Sequence, residues 1–130
     1  MAGCILVVED NPFNLELDRA VLESHGYVVL EAGDAAACFD VLSRCKPDLV
    51  LMDIQLPGKD GLQITRELRS NPEMQDLVIV AMTAHAMLGD AKRITEAGCD
   101  GYLPKPIDTR TLGAQVEAFL ERGRGSRKAS

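Results

Sequence analysis

One stretch constrains this chain more than any other: Asp48 to Gly61, reading DLVLMDIQLPGKDG. A short apolar run, Leu49 to Met52, ends in an acid, Asp53, followed by the turn-forming Pro57, Gly58 and Gly61. An apolar run without alternation is what a strand covered on both faces requires, and such strands belong to parallel sheets flanked by helices. Asp53 then falls at the strand's carboxyl end, the edge where open α/β sheets carry their chemistry. It is the candidate reactive group.

The other segments bring further groups to the same edge. Cys4 to Val8 is a β-branched-rich run ending in Glu9 and Asp10. Asn11 and Pro12 open a helix whose expected apolar face is Phe13, Leu17, Ala20 and Val21, stopped at Gly26. Tyr27 to Glu31 reads as a strand, and Asp34 as the cap of a helix with Ala35, Cys38, Leu42 and Cys45 inward. After the central strand, a helix runs to about Arg69 with Ile64 and Leu68 inward. Leu77 to Met82 forms the next strand and delivers Thr83. Met87, Ala91, Ile94 and Ala97 mark a helix stopped by Gly98, and Gly101 to Leu103 is a short strand followed by Pro104, Lys105 and Pro106. A last helix carries Leu112, Val116, Phe119 and Leu120.

Strands alternating with helices predict a flavodoxin-like, doubly wound α/β fold, (βα)5, with parallel sheet order 2-1-3-4-5. The order reverses between the first and third strands. Glu9, Asp10 and Asp53 are expected to meet there.

The 130 residues suffice for one domain, expected over residues 1–121, with a basic, disordered tail over 122–130. The net charge of −6 conceals an asymmetry. Residues 1–120 hold 10 basic and 19 acidic groups, a net of −9, and such a body repels a nucleic-acid backbone. No uncharged run approaches the ~20 residues that span a bilayer, so a cytoplasmic protein without membrane insertion is expected. Four cysteines lack CxxC spacing and read as buried, reduced thiols. His25, just before Gly26, reads as a surface residue.

Three carboxylates at adjoining strand ends repel one another, by ~4 kcal/mol for a pair 4 Å apart at an effective dielectric of 20. A divalent cation relieves this. All-oxygen ligands select a hard ion, and Mg²⁺ takes one or two carboxylates while keeping waters that a phosphate can displace. Lys105 supplies a positive charge and Thr83 a hydroxyl donor, the set that phosphoryl transfer needs. Asp53 fits as nucleophile, because a carboxylate can form an acyl phosphate.

The set Val8-Glu9-Asp10-Asn11, Leu51 to Pro57, Gly61, Met82-Thr83-Ala84 and Lys105-Pro106 resembles the receiver domain of two-component response regulators. The resemblance covers residues 4 to about 121. It implies that Asp53 accepts a phosphoryl group from a phosphohistidine on a sensor histidine kinase or histidine phosphotransfer protein. It implies further that Asp10, Asp53 and the Gln55 carbonyl hold Mg²⁺, with Glu9 acting through a water, and that Lys105 and Thr83 contact the phosphoryl oxygens. By the same resemblance the Lys105–Pro106 peptide is cis, Tyr102 is the aromatic switch working with Thr83, and Gln55 and His85 tune acyl-phosphate lifetime. The surface changed by the switch, the fourth helix, fifth strand and fifth helix, is where a downstream protein is expected to bind.

Moving a two-state equilibrium from 1:99 to 99:1 takes ~5.5 kcal/mol, and hydrogen bonds to charged groups contribute ~1.5 to 3 kcal/mol each. Two new bonds, from Thr83 and Lys105, therefore have the size a switch requires. A stand-alone receiver is the leading reading, favoured by Met1 and the polar chain end. The alternatives are a receiver module cut from a hybrid histidine kinase or multidomain regulator, and an aspartyl-phosphate phosphohydrolase. The hydrolase is disfavoured because Gln55 stands where a second acid would be needed.

Overall fold

In a computed structural model describing residues 3–84 and 89–128, parallel strands alternate with helices throughout. The elements are β1 (Gly3–Val8), α1 (Pro12–Ser24), β2 (Tyr27–Ala32), α2 (Ala35–Arg44), β3 (Leu49–Asp53), α3 (Gly61–Arg69), β4 (Val78–Thr83), α4 (Asp90–Ala97), β5 (Gly101–Pro104) and α5 (Leu112–Lys128). The sheet order is β2-β1-β3-β4-β5, as expected, and every pairing is parallel.

The strands are apolar on both sides because both sides are covered. Ile5 and Val7 of β1 join Leu22 of α1 and Leu112, Val116 and Leu120 of α5 in one core. Leu6 and Val8, their alternate neighbours, join Cys38 and Leu42 of α2 and Ile64 and Leu68 of α3 in another. Period-two alternation along the strand thus feeds two separate layers. Ile94 and Ala97 of α4 close a third cluster over Ala81 of β4.

The helices start where the sequence supplies caps. Asn11 accepts from the amides of Phe13 and Asn14, and Asp34 from that of Ala37. Asp60 and Gln63 form a reciprocal capping box at the start of α3, which the sequence analysis did not anticipate. A single 3-10 turn, Pro72–Met74, was likewise unforeseen. It is held by Arg69, which donates to the carbonyls of Met74, Gln75, Leu77 and Gly98 and pairs with Asp100 at 2.9 Å. One guanidinium therefore fastens the end of α3 to the start of β4 and the end of α4.

Two sequence expectations need correction. The expected apolar face of α1 is not the buried one: Phe13 is 73% and Leu17 40% exposed, and Ala20 is exposed too. The helix turns Leu15, Asp18 and Leu22 inward, with Val21 partly buried beside them. An acid within the inward stripe made the other stripe look the more hydrophobic. Cys45 is exposed rather than inward, since it lies past the last helical residue with extended dihedrals of −140° and 150°, where helical periodicity no longer applies. Of the other thiols only Cys38 is fully buried. The helix α5 runs from Leu112 through Lys128.

Asp18 is 3% exposed, and burial pushes its carboxyl up from the usual range to about 6, with Lys105 opposing. A raised carboxyl pKa means the charged form is disfavoured in the folded state. The cost is absent below the unfolded pKa of 3.8, grows as pH rises to about 6 and is constant above. Asp18→Asn is therefore expected to raise stability by on the order of 1–2 kcal/mol at about pH 7.5 and to leave it unchanged near pH 3.5. Urea unfolding at both pH values checks this; equal effects at the two would refute the burial account.

Candidate functional site

Strand register assembles the site at the carboxyl edge of the sheet. Val8 pairs with Met52, so Glu9 comes level with Asp53; Asp53 pairs with Met82 and Thr83 with Pro104. Each functional side chain arrives on the last residue of a strand or just beyond it.

Glu9, Asp10 and Asp53 each offer an oxygen, and these atoms lie within 4.8 Å of one another. Glu9 and Asp53 are buried, whereas Asp10 is exposed. The Lys105 ammonium donates to Asp53 Oδ2 at 2.7 Å and stands 3.5 Å from Glu9 Oε1. The second Asp53 oxygen, Oδ1, accepts from the main-chain amide of Gln55 at 2.9 Å. Both oxygens of the candidate nucleophile are thereby oriented. The Lys105–Pro106 peptide is cis, as expected, and the Lys105 amide donates to the Thr83 carbonyl at 2.7 Å.

Gly61 has a steric reason to be glycine. Its amide donates to the Ile54 carbonyl at 3.1 Å, and a Cβ there would collide with the Asp53 carbonyl oxygen. The start of α3 can approach the end of β3 only without a side chain.

The charges do not balance. Burial, together with the hydrogen bond and charge of Asp53, pushes the Glu9 carboxyl up to about 7. Burial works against the Lys105 charge, but its hydrogen bond to Asp53 and the fields of Asp53 and Glu9 outweigh that and raise its pKa. One ammonium against three carboxylates leaves room for a hard, oxygen-seeking cation, and the donor set fits Mg²⁺. Glu9, Asp10 and Asp53 are the side chains that would hold it.

Of the remaining expected site residues, the structure describes Tyr102 and Thr83. Tyr102, on β5, is 39% exposed. His85 lies outside the described residues. Thr83 is buried at the end of β4, but its hydroxyl donates to Asp90 Oδ2 at 2.7 Å. Asp90 escaped the sequence analysis, since an acid in the first turn of a helix ordinarily faces solvent. A cleft of about 460 Å³ also went unforeseen; Phe13, Leu17, Asp18, Lys105 and Ile107 line it beside the carboxylates. Among the described residues no helix is long and apolar enough to cross a membrane.

Comparison with known proteins gives a consistent picture. The family profile described as the response regulator receiver domain matches residues 5–117. The polar-differentiation response regulator DivK of Brucella anthropi is 36% identical over 120 residues, spanning 92% of this chain and 98% of that protein. The receiver domain of sensor histidine kinase PA1611 from Pseudomonas aeruginosa, solved with a magnesium ion coordinated in its active-site cleft, is 35% identical with a TM-score of 0.84 over 93% of this chain and 99% of that one. A receiver domain of a histidine kinase from Syntrophus aciditrophicus matches at 30% identity and a TM-score of 0.84, over 92% of this chain and 91% of that one.

A carboxyl held near pH 7 competes with a metal for the same oxygens. Mg²⁺ binding should therefore weaken several-fold between about pH 8 and about pH 6, with proton release at the lower pH. In Glu9→Gln that pH dependence should flatten. Calorimetric titration in buffers of differing ionisation enthalpy reads both quantities; an unchanged slope in Glu9→Gln would assign the dependence elsewhere.

Proposed function

The chain belongs to the response regulator receiver family, and from that premise we propose that it accepts a phosphoryl group from a phosphohistidine onto Asp53, with Mg²⁺, and signals by phosphorylation-dependent binding to another protein. The observation that carries this reading is the Lys105–Asp53 contact of 2.7 Å inside the carboxylate cluster.

In the transfer an Asp53 oxygen attacks phosphorus, the N–P bond of the phosphohistidine breaks, and its electron pair leaves with the imidazole, which takes up a proton. The product is an acyl phosphate. Mg²⁺, when bound, supplies charge neutralisation at the phosphoryl oxygens. Lys105 and the Gln55 amide keep Asp53 aimed, and Lys105 passes from the carboxylate to a phosphoryl oxygen as charge builds there. On this reading Asp10, Asp53 and the Gln55 carbonyl would hold the metal, and Glu9 would assist through a water. Gln55, exposed at the rim, and His85 tune attack of water on the acyl phosphate.

The donor is a sensor histidine kinase or histidine phosphotransfer protein. It must reach Asp53 over the edge of the sheet, where Phe13 and Leu17 present an apolar surface beside the cleft. Exposed apolar side chains adjoining a reactive group support docking there. Output uses the face of α4, β5 and α5, where Tyr102 turns inward once Thr83 is drawn to the phosphoryl group. A cytoplasmic protein without nucleic-acid contacts fits the acidic body. The similarity to two receiver domains of histidine kinases supports a second reading, in which the same module serves within a larger hybrid kinase.

Incubation with phosphoramidate and Mg²⁺, read by intact mass, tests the core of the proposal. Wild type should gain one base-labile phosphoryl group, while Asp53→Asn and a metal-chelated sample gain none. An unmodified wild type that nonetheless binds Mg²⁺ would leave a constitutive binding module.

A further inference from the structure

The two groups expected to meet a phosphoryl oxygen are not equally ready. Lys105 already touches Asp53. Thr83 is engaged elsewhere: its hydroxyl donates to Asp90 Oδ2 at 2.7 Å, and both residues are buried, at 1% and 7% exposure. The other Asp90 oxygen, Oδ1, accepts from Arg93 at 2.9 Å. Asp90 is the first residue of α4, and Gly89 before it, at φ 98°, provides no side-chain cap. The helix is seated on β4 by Ile94 and Ala97 against Ala81. A chain of contacts therefore runs from the end of β4 through one buried carboxylate to the outer surface of α4.

We propose that Asp90 is a positioning residue: it holds the Thr83 hydroxyl in the resting protein, so a phosphoryl group on Asp53 must compete with it for that hydroxyl's single hydrogen. This rests on the reading of Asp53 as phosphoryl acceptor and adds to it a built-in opponent of the phosphorylated state.

The physical basis is stoichiometric. A threonine hydroxyl has one hydrogen to donate, so it serves Asp90 or a phosphoryl oxygen, not both. When it leaves, Asp90 keeps only Arg93 as donor among the described contacts and becomes an under-satisfied buried carboxylate. Such a group is costly, and the first turn of α4 must adjust to regain a partner or water. The same bond thus restrains the switch and ties Thr83 to α4, the helix expected to change its surface.

Beryllofluoride with Mg²⁺, a non-covalent mimic of the phosphoryl group, separates the outcomes when its half-saturating concentration is measured by NMR. Asp90→Ala is expected to bind it about fivefold to tenfold more tightly than wild type, a change the size of one typical net hydrogen bond. Asp90→Asn keeps an oxygen acceptor for Thr83 and is expected to gain less. In a Thr83→Ala background, Asp90→Ala should gain nothing, which a merely structural role for Asp90 would not produce. A second measurement needs no Asp90 variant: amide exchange across α4 should quicken when wild type takes up beryllofluoride and stay unchanged in Thr83→Ala. No gain in Asp90→Ala, or the same gain without Thr83, would overturn the inference while leaving Asp53 as acceptor. Failure of wild type to take up beryllofluoride at all would remove both.

Discussion

The ion pair between Lys105 and Asp53 is the interaction on which the rest of this sheet edge depends. Three carboxylates gathered within 4.8 Å call for positive charge among them, and among the described residues the Lys105 ammonium supplies it. Lys105 is tied to β4 by its backbone amide, which donates to the Thr83 carbonyl at 2.7 Å. The short fifth strand exists to bring it there. With Lys105 in place the cluster tolerates Asp53 and Glu9 at 2% side-chain exposure each; the remaining excess of negative charge is what makes the site receptive to a cation.

Much of this was legible in the sequence because strands buried on both faces announce themselves. The runs CILVV and LVLM contain no polar residue, so their ends are marked by the acids that follow, and parallel topology then decides which ends share an edge. Asn11, Asp34 and Gly98 were readable as caps for the same reason: their backbone role is local. The inward face of α1 was not readable. Hydrophobic periodicity ranks stripes by apolar count, and Asp18 sits in the buried stripe while Phe13 and Leu17 sit in the exposed one. Asp90 was invisible for a different reason. Its meaning comes from a contact with Thr83 across a strand-to-helix connection, and nothing in the spacing of the two residues distinguishes that from an ordinary first-turn acid.

The misread helix is itself informative about function. A helix normally buries its more apolar side, because that lowers the free energy of the isolated chain. Here α1 buries a carboxylate and leaves an aromatic ring and a leucine in water beside the reactive edge. Neither choice favours the protein alone. On the proposed function a phosphoryl donor has to come within bonding distance of Asp53, and Phe13 and Leu17 line the cleft beside Glu9 and Lys105. The apolar area that α1 fails to bury intramolecularly is then available at the interface.

The energetics of switching also look different once the resting contacts are known. From sequence, Thr83 and Lys105 promised two new hydrogen bonds to a phosphoryl group. In the structure neither donor is idle, for Lys105 is bonded to Asp53 and Thr83 to Asp90. On the proposed function, Thr83, with a single hydrogen, would exchange one acceptor for another, whereas the Lys105 ammonium has further N–H groups to give. For Thr83 the drive would then come from the difference between two acceptors, a phosphoryl group and the Asp90 carboxylate, and such a difference is smaller than either bond. A small net drive places the two states close in free energy, where the population responds steeply to any ligand that prefers one of them. Binding of a partner to the α4 face would then count toward the switch as much as the phosphoryl group does. By linkage, such a partner would in turn favour phosphorylation of Asp53.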